Sequence, residues 1–143
     1  MTPKSTLALS IVASTSLFAT VAVAQSAAGG ERTYSIILSG ANEAPGPGDP
    51  DGSGSATVTV SVPNREVCYN FEVSGVEPLV AAHIHEAPSG VPGPVIIPLD
   101  VSGSGCEEIT ARLAAQILAH PSEYYLNVHT SDFPGGALRG QLG

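Results

Sequence analysis

The strongest constraint in this chain is a two-residue rhythm. In Ser55–Val62 the apolar residues Ala56, Val58, Val60 and Val62 alternate with Thr57, Thr59 and Ser61. After Pro63-Asn64 the rhythm returns in Glu66–Val73, where Val67, Tyr69, Phe71 and Val73 take the apolar positions. Successive side chains of an extended strand point to opposite faces. Each segment therefore predicts a strand with one apolar face, and the Pro-Asn break predicts a hairpin. Briefer alternation marks Thr33–Ser39, Val80–His85, Val95–Leu99, Tyr124–Thr130 and Gly136–Leu142.

The stretches between these segments are rich in chain-turning residues. Gly and Pro supply 16 and 12 of the 143 residues, and Gly40 to Gly54 is too dense in them for regular structure. One segment departs from the rhythm. Ile109, Leu113 and Ile117 recur every fourth residue, Leu118 widens the stripe, Glu107 and Glu108 stand at the dipole-favoured start, and Pro121 stops it. The expectation is an all-β Greek-key sandwich or flattened barrel. It has about seven to eight short strands and one short helix near residues 107–119.

The first 24 residues have a different character. Lys4 is followed by an apolar stretch from Leu7 to Val23, and Ala22-Val23-Ala24 is a small-x-small cleavage site. This is the layout of a secretory signal peptide, leaving residues 25–32 as a flexible lead-in and 33–143 as one β domain. Export to a periplasm or beyond the cell follows, and an oxidising compartment makes Cys68–Cys106 a disulfide. In the chain-entropy model such a bridge stabilises the fold by roughly 3–4 kcal/mol.

Charge narrows the functions. With 13 acidic and 5 basic side chains the net charge is −8. Such a chain has no electrostatic footprint for phosphate backbones, so nucleic acid is not an expected partner. No apolar run is long enough for a spanning helix. The only Met is Met1, which argues against a blue-copper or thioether site, and no GxSxG elbow marks a hydrolase. Asp49 and Asp51 resemble a calcium loop only loosely, lacking its bidentate Glu.

Four histidines remain: His83, His85, His120 and His129. If Val80, Ala82 and Ile84 face the core, His83 and His85 share the opposite face, about 6.5–7 Å apart along the strand. If Leu126 and Val128 face inward, His129 points outward beside Asn127 and Tyr125. If Leu138 and Leu142 face inward, Arg139 and Gln141 point outward too. Where these strands are neighbours, three imidazoles and a guanidinium meet on one side. A three-nitrogen set suits copper or zinc. His120, just before Pro121, fits a helix end better than a ligand role.

The segments Leu38-Ser-Gly-Ala-Asn-Glu-Ala-Pro45, Ala82-His-Ile-His85 with Gly93-Pro-Val95, and Tyr125-Leu-Asn-Val-His-Thr130 leading to Arg139-Gly-Gln-Leu142 resemble the CHRD domain. That family is named for chordin, and its module also occurs singly in secreted bacterial proteins. The likeness spans roughly residues 33–143. Two positions depart from it: Ala137 replaces a usual acidic residue, and Glu86-Ala87 replaces a Gly after the histidine pair. His83-Ile-His85-Glu86, Leu126-Asn-Val-His129 and Gly136-Ala-Leu-Arg139-Gly are also similar to the copper motifs of copper/zinc superoxide dismutase. That similarity implies His83, His85 and His129 as copper ligands. Arg139, with Asn127 and Glu43, would surround the site or guide anions. It lacks the dismutase's bridging histidine and zinc loop.

Three functions follow as expectations. The first is a secreted or periplasmic module that binds copper, or else zinc, through a surface three-histidine site, for sequestration or delivery. The second is a copper-dependent, dismutase-like enzyme, the less favoured of the two. The third is a metal-free module that binds an extracytoplasmic protein.

Overall fold

The computed structural model describes residues 30–76 and 78–143. The expected signal peptide and residues 25–29 of the lead-in lie outside them. Eight strands occur among the described residues: β1 (Glu31–Ser39), β2 (Ser53–Ser61), β3 (Glu66–Ser74), β4 (Leu79–Glu86), β5 (Val95–Leu99), β6 (Ser104–Glu108), β7 (Tyr124–Thr130) and β8 (Leu138–Gln141). One α-helix, α1, covers Ala111–Ala119. The strands form a single antiparallel sheet in the order β5-β4-β7-β8-β1-β2-β3-β6.

This sheet curls into a nearly closed barrel. Its end strands β5 and β6, five residues each, approach one another. Tyr69 of β3 spans the seam: its hydroxyl accepts from the Asp100 N–H at 2.7 Å and donates to Glu107 at 3.3 Å. The chain passes from β3 to β4 and from β6 to β7 between strands that are not neighbours in the sheet, by the short segment 75–78 in the first case and by way of α1 in the second.

The alternation becomes burial. Tyr34, Ile36 and Leu38 of β1 point inward beside Ala56, Val58 and Val60 of β2 and Val67, Tyr69 and Phe71 of β3. Ala82, Ile84, Ile97, Leu99, Leu126, Val128 and Leu138 complete the interior from the other strands. Removing this much apolar surface from water is the main force closing the barrel. The helix adds Ala114 and Ile117, packed towards β2 and β3.

Several details differ from the sequence expectation, among them a 3-10 turn at Gly40–Asn42 and a β2 start at Ser53 inside the stretch expected to be irregular. Glu31 and Arg32, assigned to the lead-in, are the first residues of β1. Val80 is exposed, because a register shift in the β4–β7 pairing between Leu79 and Ala81 breaks the parity there. Ser104–Glu108 is a strand that no apolar alternation announces; Cys106 stands opposite Cys68 of β3, and the two are disulfide-bonded. Glu107 and Glu108 therefore belong to β6 and not to a first helical turn. The helix starts later, at the Thr110 cap, whose hydroxyl accepts from the Leu113 N–H at 3.1 Å.

Candidate metal centre

The β4–β7–β8 register builds the site. His85 pairs with Tyr125 and Tyr125 with Gln141; His83 pairs with Asn127 and Asn127 with Arg139; Ala81 pairs with His129. The inward neighbours Ala82, Ile84, Leu126 and Val128 are in the core, so these polar residues share the outer face. His129 is thus the diagonal neighbour of His83, within reach across the strands.

One ring nitrogen from each of His83, His85 and His129 lies within 4.8 Å of the other two. His83 Nδ1 and His129 Nε2 are 3.1 Å apart. The rings of His83 and His85 meet edge to face, with centroids 5.5 Å apart.

The expected surface site is partly sunk beneath loops, with His83 left half-buried at its outer side. His85 and His129 are 8% and 9% exposed, and every residue of β7 is buried. Residues 87–94 cover one side, and residues 131–137 with the Glu43 loop cover the other. Each loop fixes one imidazole. His85 Nδ1 donates to the Gly93 carbonyl at 2.9 Å, and His129 Nδ1 donates to the Pro134 carbonyl at 3.0 Å. A carbonyl can only accept, so both rings hold a proton on Nδ1 and keep an Nε2 lone pair. The His85 Nε2 atom is buried without a hydrogen-bond partner.

Burial also keeps the rings neutral. Desolvation is the largest influence lowering all three pKa values, aided by the neighbouring imidazoles for His83 and His129 and by Arg139 for His85. The bonds to Gly93 and Pro134 oppose it in part. Neutral imidazoles with directed lone pairs are the form that binds a metal, and an anchored N–H is the usual support of a ligating ring.

The surrounding polar residues do different work. Arg139 is 1% exposed. Its guanidinium donates to the Val91 and Pro88 carbonyls at 2.9 Å each and to Gln141 at 3.1 Å, and lies 3.5 Å over the Tyr125 ring. The dismutase similarity implies an anion-guiding arginine. This one faces loop carbonyls instead, since the 87–94 loop closes over it. Asn127 donates to Glu43 and, at 3.5 Å, to the Leu138 carbonyl. Burial raises the Glu43 pKa to about 7, against the lowering effects of Arg139, the Ala44 N–H and Asn127. A Cβ on Gly136 would enter the space of the Glu43 carboxyl and the Asn127 amide, and its φ of +142° also favours glycine.

A family model, the CHRD domain, matches residues 34–142. The chain belongs to the CHRD domain family. No curated protein matches it, and no solved structure does. CHRD is an extracellular domain family, and a Cys68–Cys106 disulfide fits an exported protein. No helix among the described residues is long and apolar enough to cross a membrane.

Within this CHRD domain, His120 stands apart from the other three histidines, exposed at the C-cap of α1. Glu66, Cys68 and Cys106 also cluster, but the two sulfurs are bonded to each other and are not thiolates. Asp49 serves its own turn, accepting from the N–H groups of Asp51 and Gly52. Sequence reasoning assigned no role to the Gly93 and Pro134 carbonyls or to the Tyr125 ring stacked on His85. Side-chain identity carries no signal for a backbone carbonyl; the Gly93-Pro94 dipeptide was the nearest clue.

Proposed function

We propose that this CHRD domain is an exported copper-binding module, with His83, His85 and His129 as the ligands. The observation that carries this reading is the orphaned Nε2 atom of His85. A buried nitrogen without a partner costs about 1–3 kcal/mol, and a cation at the centre of the group would satisfy it. The donor set points the same way. It comprises three neutral nitrogens, two of them with proton positions fixed by loop carbonyls, and it suits copper first and zinc second. Copper bound there would be held by imidazole donors on rigid strands, which serves sequestration or delivery outside the cytoplasm.

A turnover role draws less support. The arginine that would attract an anion is buried under the 87–94 loop, and the chain's net charge is −8. The test is copper titration followed by electron paramagnetic resonance. The wild-type protein is expected to give one stoichiometric signal with nitrogen couplings. The His83→Ala/His85→Ala/His129→Ala variant is expected to lose it, and an unchanged spectrum in that variant would remove the proposal.

A further inference from the structure

We infer that Arg139 is a positioning residue for the histidine group: acting through the 87–94 loop, it fixes which ring nitrogen of His85 carries the proton. The loop has little of its own to hold it. Pro88, Pro92 and Pro94 have no N–H to donate. Its backbone bonds are the Val91 N–H to the Pro88 carbonyl and the Glu86 N–H to the Pro94 carbonyl, both at 3.2 Å.

What fixes the loop comes from β7 and β8. Arg139 holds the Pro88 and Val91 carbonyls with the two arms of one planar fork, which a single ammonium cannot copy. Gln141 holds the Ala87 carbonyl at 2.7 Å, and the Tyr125 hydroxyl accepts from the Gly93 N–H at 3.1 Å. At the end of this chain of contacts stands the Gly93 carbonyl, the acceptor for His85 Nδ1. Arg139 touches the middle of the loop and the ring of Tyr125, on which His85 is stacked at 4.7 Å. An imidazole freed from a fixed acceptor distributes its proton over both nitrogens. The His85 Nε2 lone pair would then be present in only part of the population.

His129 supplies an internal control. Its acceptor, the Pro134 carbonyl, lies in the other loop, and none of the Arg139 donors reaches that loop. The effect of Arg139 should therefore fall on one imidazole and spare its neighbour. The consequence for copper rests on the copper reading above, whereas the tautomer can be read in metal-free protein.

The experiment is nitrogen-15 NMR of the imidazole rings in the chelator-treated full chain, comparing wild type with Arg139→Met and Arg139→Lys. The wild type is expected to show Nδ1–H forms of both His85 and His129. In Arg139→Met, at an alkaline pH where the ring stays neutral although the Arg139 charge that lowers its pKa is gone, the two nitrogen shifts of His85 should move towards each other as the tautomers mix, while those of His129 stay in place. Arg139→Lys should move His85 in the same direction by less, and it decides the matter if the Met variant does not fold. A His85 that remains purely Nδ1–H in the folded variant, or that is not Nδ1–H in the wild type, overturns the inference. Copper affinity, measured in parallel, should weaken about 10–100-fold in the variant. If no form binds copper while His85 mixes as stated, the copper reading fails and the role of Arg139 stands.

Discussion

The two sides of this barrel treat their outward residues in opposite ways. On β1, β2 and β3 the outer positions Thr33, Ser35, Thr57, Asn70 and Glu72 face water, and even Ile37 is 74% exposed. On β7 all seven residues are buried. Both sides obey the same inward alternation, so the core does not distinguish them. The difference lies in the loops. Gly/Pro-rich segments fold back over β4, β7 and β8, and they convert an outer sheet face into a second, polar interior. Polar groups in such a place must be partnered, and most here are: Arg139, Gln141 and Asn127 donate to loop and strand carbonyls or to Glu43. Two buried atoms there are left without a partner, Asn127 Oδ1 and His85 Nε2, and of these only the second belongs to the histidine group.

The largest expected effect concerns how the open side is held. Cys68→Ser/Cys106→Ser removes a bridge between residues 38 apart, and urea denaturation should show a loss of about 3–4 kcal/mol. That loss should leave the histidine rings undisturbed, since β3 and β6 lie away from β4 and β7 in the sheet.

Matched outward substitutions address the contrast itself. Asn127→Ala on β7 strips Glu43 of its amide partner and should destabilise by about 1–3 kcal/mol. Thr57→Ala on β2 should stay within about 0.5 kcal/mol. Equal costs at the two positions would show that the loops leave the outer face of β7 effectively solvated.

The smallest effects are in pH dependence, and two groups pull in opposite directions. The folded state lowers the pKa values of all three site histidines below the ordinary 6.5. As pH falls from neutrality the unfolded chain takes up protons first. Metal-free protein therefore loses stability below about 6.5, and replacing the three histidines should flatten that slope. Glu43 behaves in reverse. Its pKa rises from 4.5 to about 7 on folding, so its contribution is complete below 4.5 and is lost as pH rises through about 7. Glu43→Gln should remove that component, as denaturation midpoints measured across pH 4–8 would show.

How much of this was legible in the sequence follows from what parity can carry. It placed Tyr124–Thr130 as a strand with the bounds the structure has, and it put His83, His85 and His129 on one face. It misjudged Val80, where a register irregularity interrupts the count. It could not see β6, because Ser104-Gly-Cys-Glu-Glu108 has no apolar face and is a strand by virtue of its ladder with β3 and its disulfide. The carboxylates of Glu107 and Glu108 imitated a helix start, while Thr110 held the cap. The burial of the site was illegible for a related reason. It depends on where loops fold, and Gly/Pro composition says that a chain turns without saying what it then covers.

The two end strands have a further consequence. A barrel that stops short of full closure keeps two free ladder edges, and such edges invite foreign strands to pair. Here both edges are only five residues long. Pro98 within β5 lacks the N–H that an incoming strand would need, and β6 is stapled to its neighbour through Cys106. The short, proline-bearing and stapled strands at the seam thus guard the incomplete barrel against edge-to-edge pairing, in a chain whose hydroxyl-rich β1–β2–β3 face is otherwise uncovered.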